Sequence, residues 1–288
     1  MTSLSLTKAK VLLTGGSGDL GKLLIPELQK LGASVSNIDV NPCKIDGVTE
    51  HLGSIEDRAL VRHALMGVDI VIHIAAWHGY HEFTKAKSDE EFWDTNMTGT
   101  FNLLHACAEQ NCQKFLFISS TSVDEWPGVY GMTKQLGEDL VSAYAKRFSM
   151  QTLSLRPRAF IPWWNTSVYA TYLEWANWFS KGAVHIEDVN QATILGAKFL
   201  LEKEGEFFDW VEVDGKHDFS NVDMESWQTL GADIFLEEKF GKSFLAAKKA
   251  AFNPENPPRY KDLKKAKELL SYSPRFGYQE MLEHFSRT

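Results

Sequence analysis

The chain has 288 residues, 44% of them hydrophobic, which is enough apolar side chain to fill one large domain or two smaller ones. Its formal net charge of -8 provides no overall attraction for nucleic acid or for an anionic membrane, so neither is expected as a partner. The three cysteines form no Cys-x-x-Cys pair, and no signal peptide or membrane span is recognised, so a reducing cytoplasmic location is expected.

The first predicted element is a strand that breaks into a glycine cluster and is followed by a helical pattern. Residues 11–21 read VLLTGGSGDLG, and the helix is expected from about Asp19 to Leu31. Such a turn brings backbone N–H groups and the positive end of the helix dipole to a pyrophosphate, which predicts a dinucleotide site. A nucleotide-triphosphate loop also fits the spacing of residues 16–22, but Leu23 stands where a magnesium-binding hydroxyl is required.

Each glycine of the cluster has an expected role. Gly15 or Gly16 permits the tight turn, Gly18 lets the backbone approach the pyrophosphate, and Gly21 lets the helix pack closely on the sheet. A second strand, SVSNID, then ends in Asp39. A carboxylate there is expected to bind both hydroxyls of the adenosine ribose and to repel a 2′-phosphate, which favours NAD over NADP.

Strand and helix patterns alternate along the first half of the chain, which predicts an α/β fold with a doubly wound parallel sheet. The two interior strands at 69–75 and 114–119 are continuous apolar runs, so helices are expected to cover both faces of the sheet. The predicted strands lie at about 9–14, 34–39, 69–75, 114–119 and 151–155.

After Pro157 the segments become shorter, less regular and richer in aromatic residues. We therefore expect a Rossmann domain over residues 1–157 and a smaller substrate-binding lobe over 158–288, with 184–202 returning to the sheet. Within the lobe, an alternating strand is expected at 206–213, and helices are expected near 224–233, 243–251 and 260–271.

Tyr130 and Lys134 place a phenol and an ammonium on one face of a helix that is expected to reach about Phe148. A free tyrosine is a poor base at neutral pH, and a nearby ammonium lowers the pKa of the phenol toward the working range. The alternative is an ordinary solvated pair one turn apart. The preceding strand ends in Ser119-Ser120-Thr121, which puts hydroxyl groups at the carboxyl edge of the sheet and favours a catalytic interpretation.

The ordered motifs TGGSGDLG, IDVNP, GSIED, HIAA, NMTGTFNLL, FISSTSV and YGMTK resemble the extended short-chain dehydrogenase/reductase family, which includes NAD-dependent sugar epimerases and dehydratases. Further on, HIEDVNQA and DLKKAKELLSYSP resemble later motifs of that family, so the resemblance covers nearly the whole chain. It implies a Rossmann fold with NAD as cofactor and a small-molecule sugar or sugar-nucleotide substrate.

The resemblance also implies a Ser-Tyr-Lys site. Tyr130 would act as general base, Lys134 would lower its pKa and hold the nicotinamide ribose, and Ser120 would hydrogen-bond the reacting oxygen, with Thr121 as the alternative hydroxyl. The remaining cofactor contacts implied by position are Gly15, Gly18, Asp19, Leu20, Asp39, Ser54, Ile55, Ala75, Ala76, Asn96 and Pro157. Ser54 stands where the family usually has an acid, so adenine recognition is expected to be weaker.

Two departures from the family pattern bear on the reaction. Dehydratases carry an Asp-Glu pair where this chain has Thr121 and Ser122, which disfavours dehydration. Sugar-nucleotide epimerases often carry an Asn where Ala159 stands, and the 157–187 segment is short, which suggests a reduced nucleotide pocket.

Five further features of the sequence each allow two interpretations. Trp126 either stacks on a sugar or forms a hydrophobic lid. Arg158 and Arg259 either pair with a substrate phosphate or are surface charges. His78 is expected to hydrogen-bond substrate rather than to bind a metal, for which no ligand set is evident. A stripe of four residues is expected to be core or a homodimer interface rather than a ligand wall: Val168, Tyr172, Trp175 and Phe179.

The preferred function is oxidation of a hydroxyl on a sugar or sugar nucleotide, with 4-epimerisation through a transient ketone as the leading form. The first alternative is a net dehydrogenase or reductase of a free sugar or sugar acid, which Ala159 and the short segment after Pro157 favour. A second alternative is a non-catalytic cofactor-sensing protein on the same fold, which would be expected to have lost Tyr130 or Lys134.

Overall fold

The computed structural model describes residues 6–125 and 128–287. Over these residues the chain forms seven strands, which join in one sheet. The strands are β1 (Lys10–Thr14), β2 (Ser34–Asp39), β3 (Thr49–Leu52), β4 (Ile70–His73), β5 (Lys114–Ile118), β6 (Gln151–Pro157) and β7 (Phe207–Val213). Their order is β3-β2-β1-β4-β5-β6-β7, and from β3 to β6 neighbouring strands run parallel.

Helices follow or separate these strands. The first group is α1 (Asp19–Lys30), α2 (Arg58–Ala64), α3 (Gly79–Phe83), α4 (Asp89–Phe92), a π-helical segment (Trp93–Thr98), α5 (Gly99–Glu109), α6 (Ser122–Glu125) and α7 (Val129–Phe148). The second group is α8 (Tyr172–Phe179), α9 (Ile186–Glu202), α10 (Asn221–Leu230), α11 (Ala232–Phe240), α12 (Lys242–Lys249), α13 (Lys264–Leu270) and α14 (Tyr278–His284).

The predicted doubly wound α/β fold is confirmed. Parallel β1, β4 and β5 are buried along their length, as their apolar sequences require, because helices cover a parallel sheet on both faces. The reversal of strand order between β1 and β4 is the position at which such sheets bind ligands, beyond the carboxyl ends of the strands.

Two predictions about the edges of the sheet are wrong. β3 is absent from the predicted strands because this four-residue edge strand is largely exposed and has no apolar run. The strand expected at 206–213 in the C-terminal lobe is β7, which lies beside β6 in the main sheet. Alternating polarity is typical of any half-exposed strand, so it does not distinguish an edge strand of this sheet from a strand of another domain.

The chain divides into two compact units. The first contains residues 1–157 and 192–212, and the second contains 158–191 and 213–288. A cluster centred on Leu12, Val71, Phe115 and Val141 fills one face of the sheet in the first unit.

The core of the second unit is mainly aromatic. Trp175 and Phe179 of the predicted stripe belong to this core with Trp227, Phe244 and Tyr278, among others, and Val168 and Tyr172 pack against it. Trp175 and Phe179 are therefore core residues, and together with Tyr172 they also line a cavity in this unit. None of the helices in the described part of the chain combines the length and apolar character needed to cross a membrane.

Candidate active site

The glycine turn after β1 brings three pieces of backbone into close contact. Gly15 has a φ of +78°, and a Cβ atom built on it would lie only 2.8 Å from the backbone N of Ala75. A Cβ on Gly21 would lie 2.4 Å from the Cα of Gly16, so only glycine lets α1 approach the turn this closely. Gly18 is the N-cap residue of α1, and Asp19 and Leu20 form its first turn.

The carboxylate of Asp39 stands at the end of β2, beside this turn. It accepts hydrogen bonds from the backbone N–H of Ser17 at 3.0 Å and of Asn41 at 2.9 Å. Two residues earlier in β2, the buried Asn37 accepts from the N–H of Gly16 at 2.9 Å and donates to Glu50 at 3.1 Å. Sequence reasoning missed Asn37, although an amide within a buried strand was a detectable signal.

The other predicted cofactor contacts lie at the carboxyl ends of neighbouring strands. Ala75 donates its N–H to the carbonyl of Thr14 at 3.0 Å, and Ala76 follows it. Ser54 and Ile55 come shortly after β3. The side chain of Ile55 is buried and lies where a Cβ on Gly99 would touch it at 2.4 Å, so this side chain is committed to packing.

Ser120, Tyr130 and Lys134 meet at the end of β5. The hydroxyl of Ser120 lies close enough to the Tyr130 phenol to lower its pKa, and it donates to the hydroxyl of Ser122 and accepts from the N–H of Ser122, both at 3.0 Å. The ammonium of Lys134 donates to the carbonyl of Ile118 at 2.7 Å and lies 4.8 Å from the centre of the Phe117 ring.

Burial changes the pKa of both catalytic candidates. It lowers the pKa of Lys134 to about 7, and the nearby carboxylate of Glu138 partly opposes this change by favouring the charged ammonium. Burial also raises the pKa of the Tyr130 phenol, and the hydrogen bond with Ser120 partly opposes that rise. The protein by itself therefore does not lower the pKa of the phenol as expected from the sequence, because removal from water outweighs the effect of Ser120.

Asn96 lies in the π-helical segment and connects two parts of the site. Its amide oxygen accepts from the N–H of Trp77 at 2.8 Å, and its amide nitrogen donates to the carbonyl of Trp77 at 3.0 Å. The same nitrogen donates to the hydroxyl of Thr133 at 3.0 Å, and that hydroxyl donates to the carbonyl of Tyr130 at 2.9 Å. Asn96 thus links the segment after β4 to the first turn of α7.

His78 comes from the same segment and lies near Lys134. Its burial, together with His81 and Lys134 nearby, lowers the pKa of its imidazole to about 4, so it is neutral at physiological pH. The rings of His78 and His81 are 4.2 Å apart. No cluster of three or more His, Cys, Asp or Glu side chains arranged for a metal ion is found among residues 6–125 and 128–287.

An ionic network between α7 and β6 was not predicted from the sequence. Glu138 accepts from the hydroxyl of Ser119 at 2.5 Å, and its carboxylate binds the guanidinium of Arg156 at 2.7 Å. Arg156 also pairs with Asp124 at 3.1 Å and stacks on Trp210. Asp124 is the acid nearest to the position of a dehydratase Asp, and its ion pair with Arg156 gives it a different role.

The remaining predicted residues are placed as follows. Thr121 is buried and donates its N–H to the carbonyl of Pro157 at 3.1 Å. In the second unit, the guanidinium of Arg158 hydrogen-bonds with the carbonyl of Arg259 and lies 3.7 Å from the carboxylate of Asp214. Trp126 lies outside the described residues.

Comparison with known proteins identifies the family. The profile of the NAD dependent epimerase/dehydratase family matches residues 11–161, a span that includes the glycine turn, Asp39, Ser120, Tyr130 and Lys134. The chain belongs to this family. It is an NAD-dependent epimerase or oxidoreductase, and its cofactor is NAD.

Individual relatives differ in activity. UDP-glucose 4-epimerase of Mycoplasma pneumoniae is 26% identical, and the match covers 97% of this chain and 96% of that protein. Uronate dehydrogenase of Pseudomonas putida is 28% identical, over 51% of this chain and 59% of its own. The structure of MoeE5 in complex with UDP-glucose and NAD has the same fold, with a TM-score of 0.69, 20% identity and coverage of 97% and 99% of the two chains.

The residues of the first unit fit NAD. A side chain on Gly15 would collide with the backbone of Ala75, so the turn is open only with glycine at this position. The Asp39 carboxylate stands at the end of β2, where a ribose is bound in such sheets. Gly18 and the first turn of α1 would hold the pyrophosphate, and Lys134 and Asn96 would lie on the nicotinamide side.

The depressed pKa of Lys134 predicts a pH-dependent stability. The unfolded chain, with an ordinary lysine pKa, binds more protons than the folded protein between about pH 7 and 10, so the free energy of unfolding rises with pH in this window. Urea unfolding without NAD should show this rise, about 2 kcal/mol between pH 7 and pH 9, reduced in Lys134→Met. The matched control, Lys22→Met on the exposed side of α1, should retain it. Identical pH dependence in wild type and Lys134→Met would contradict the assignment of the rise to Lys134.

The position of Asp39 predicts discrimination between cofactors. NAD should bind at least about tenfold more tightly than NADP, a difference of about 1.4 kcal/mol, because a 2′-phosphate would meet the Asp39 carboxylate. Titration calorimetry measures both affinities, and Asp39→Ala should narrow the gap while Asp46→Ala, at an exposed position in the same region, should not. Equal or tighter binding of NADP to the wild type would contradict this role.

Proposed function

We propose that this protein is an epimerase that inverts a hydroxyl-bearing carbon, most specifically C4, of a sugar carried on a nucleoside diphosphate. The observation that carries the proposal is the placement of the Ser120 hydroxyl beside the Tyr130 phenol, one helical turn from the buried Lys134. A phenol, a hydroxyl and an ammonium in this arrangement suit the removal of a proton from an alcohol. Family membership supports the same chemistry.

The protein's own groups handle the proton. Tyr130 accepts the proton of the substrate hydroxyl, while Ser120 donates a hydrogen bond to the same oxygen and holds it in place. NAD, when bound, supplies the hydride acceptor for this oxidation and the hydride donor for the return step. After the ketone has turned its other face, Tyr130 returns the proton to the oxygen. Lys134 favours the phenolate whenever its ammonium is charged.

The extent of the comparisons supports epimerisation over net oxidation. The match to UDP-glucose 4-epimerase spans nearly the whole of both chains, whereas the match to uronate dehydrogenase covers about half of this chain. The relatives' substrates suggest a UDP-linked sugar as the first compound to test.

A net dehydrogenase of a free sugar or sugar acid is the second candidate. Ala159 lacks the amide that nucleotide-sugar epimerases of the family often use, and the guanidinium of Arg158 is already engaged by Asp214 and by the carbonyl of Arg259. Both features favour a smaller substrate without a nucleotide. The two candidates use the same Ser120, Tyr130 and Lys134, so they differ in substrate rather than in catalytic groups.

Removal of the phenol hydroxyl tests the catalytic role directly. Tyr130→Phe should lose at least about 100-fold in turnover, the usual contribution of a positioned general base, with NAD affinity nearly unchanged. Stopped assays of UDP-glucose and UDP-galactose interconversion and NADH absorbance with uronates measure the two candidate reactions. Tyr144→Phe, near the C-terminal end of α7, is the matched control and should retain turnover. Near-normal turnover of Tyr130→Phe would remove Tyr130 from the chemistry.

A ligand screen separates the two candidates. With saturating NAD, UDP or another nucleoside diphosphate should raise the melting temperature of an epimerase, because a ligand that binds only the folded state stabilises it. The stabilisation should weaken at higher salt if arginines hold the diphosphate. No shift with UDP, dTDP or GDP, combined with NADH formation from a free uronate, would replace the epimerase by the dehydrogenase.

A further inference from the structure

The helix that carries Tyr130 receives its N-terminal cap from a distant residue. Gly128, the N-cap residue of α7, offers no side chain to the free N–H groups of the first turn. Instead the carboxylate of Glu82, on α3, accepts from the N–H of Val129 at 2.7 Å and from the N–H of Tyr130 at 3.3 Å. Each oxygen of the carboxylate binds one of these two groups, so the contact restrains both position and orientation.

The same part of the chain also contacts the side chain and the carbonyl of Tyr130. A Cβ atom on Gly79, the first residue of α3, would lie 3.3 Å from Cδ1 of the Tyr130 ring. The carbonyl of Tyr130 is held by Thr133, which Asn96 in turn connects to Trp77. The segment 77–83 therefore contacts the N–H and the ring of Tyr130, and reaches its carbonyl through two side chains.

The position of Tyr130 in its helix makes this support important. It is the second residue of α7, in the turn whose N–H groups have no partner within the helix and which frays most readily. A base in such a turn needs an outside restraint, because a displacement of about 1 Å in a catalytic group costs about 100-fold in rate.

We propose that Glu82 is a positioning residue for Tyr130. Its carboxylate fixes the first turn of α7, and thereby keeps the phenol beside Ser120. The inference rests on the proposed function, in which Tyr130 is the general base. It assigns to the segment after β4 the task of orienting the base.

The test compares Glu82→Ala and Glu82→Gln with Glu90→Gln, an exposed acid on α4 of the same region. Hydrogen exchange of the peptide 128–134, measured by mass spectrometry with NAD bound, should accelerate in Glu82→Ala and remain unchanged in Glu90→Gln. Turnover of Glu82→Ala should fall about tenfold, with KM and NAD affinity within about twofold of the wild type. The exchange rate and the turnover of Glu82→Gln should lie between those of Glu82→Ala and the wild type, because an amide retains one acceptor oxygen.

Assays are run well below the melting temperature with UDP-glucose, or with galacturonate if the wild type turns over only that substrate. Unchanged hydrogen exchange in Glu82→Ala, or normal turnover accompanied only by a lower melting temperature, would overturn the inference. Tyr130→Phe is measured in parallel. If Tyr130→Phe is inactive while Glu82→Ala is fully active, only the role of Glu82 fails; if Tyr130→Phe is active, the proposed function fails first.

Discussion

The buried hydrogen bond from the Lys134 ammonium to the carbonyl of Ile118 is the contact on which the rest of the site depends. It joins α7 to the carboxyl end of β5 at 2.7 Å, and so places Tyr130 close to Ser120. A charged group removed from water is unfavourable unless it is bonded, and the carbonyl, the Phe117 ring and Glu138 provide that compensation. This compensation is incomplete, since burial still lowers the pKa of Lys134 to about 7.

Polar side chains inside the sheet also form buried hydrogen bonds that join neighbouring elements near the glycine turn. Asn37 holds the N–H of Gly16, and His73 hydrogen-bonds with Thr14 at 2.7 Å and with Thr100 at 2.9 Å. Buried polar groups are tolerated when they are bonded, and these bonds join β2 to the turn after β1, and β4 to the end of β1 and to α5. The carboxyl end of the sheet is therefore held by side-chain hydrogen bonds as well as by the backbone hydrogen bonds between strands.

The site combines restraints from several elements on a few reacting atoms. Ser120 comes from the end of β5, Lys134 and Tyr130 from α7, Asn96 from the π-helical segment, and Glu82 from α3. An interrupted helix at Asn96 fits this role, since π-helical turns are frequent at functional sites and redirect a side chain. Tight positioning is what proton transfer requires, because its rate depends on the distance between donor and acceptor.

The amino-acid sequence by itself determined the parts of this protein that depend on short-range patterns. The glycine turn, the acid at the end of β2, the Tyr130–Lys134 spacing and the alternation of strands and helices are each contained within a few tens of residues, and they predicted the α/β fold and the cofactor. Only the tertiary structure decided that Glu82 caps α7 from 47 residues away, that Arg156 binds Glu138, that the Ile55 side chain packs against Gly99, and that β7 belongs to the main sheet. The pKa values of Tyr130 and Lys134 also belong to this second group, because they depend on burial by residues that are distant in the chain.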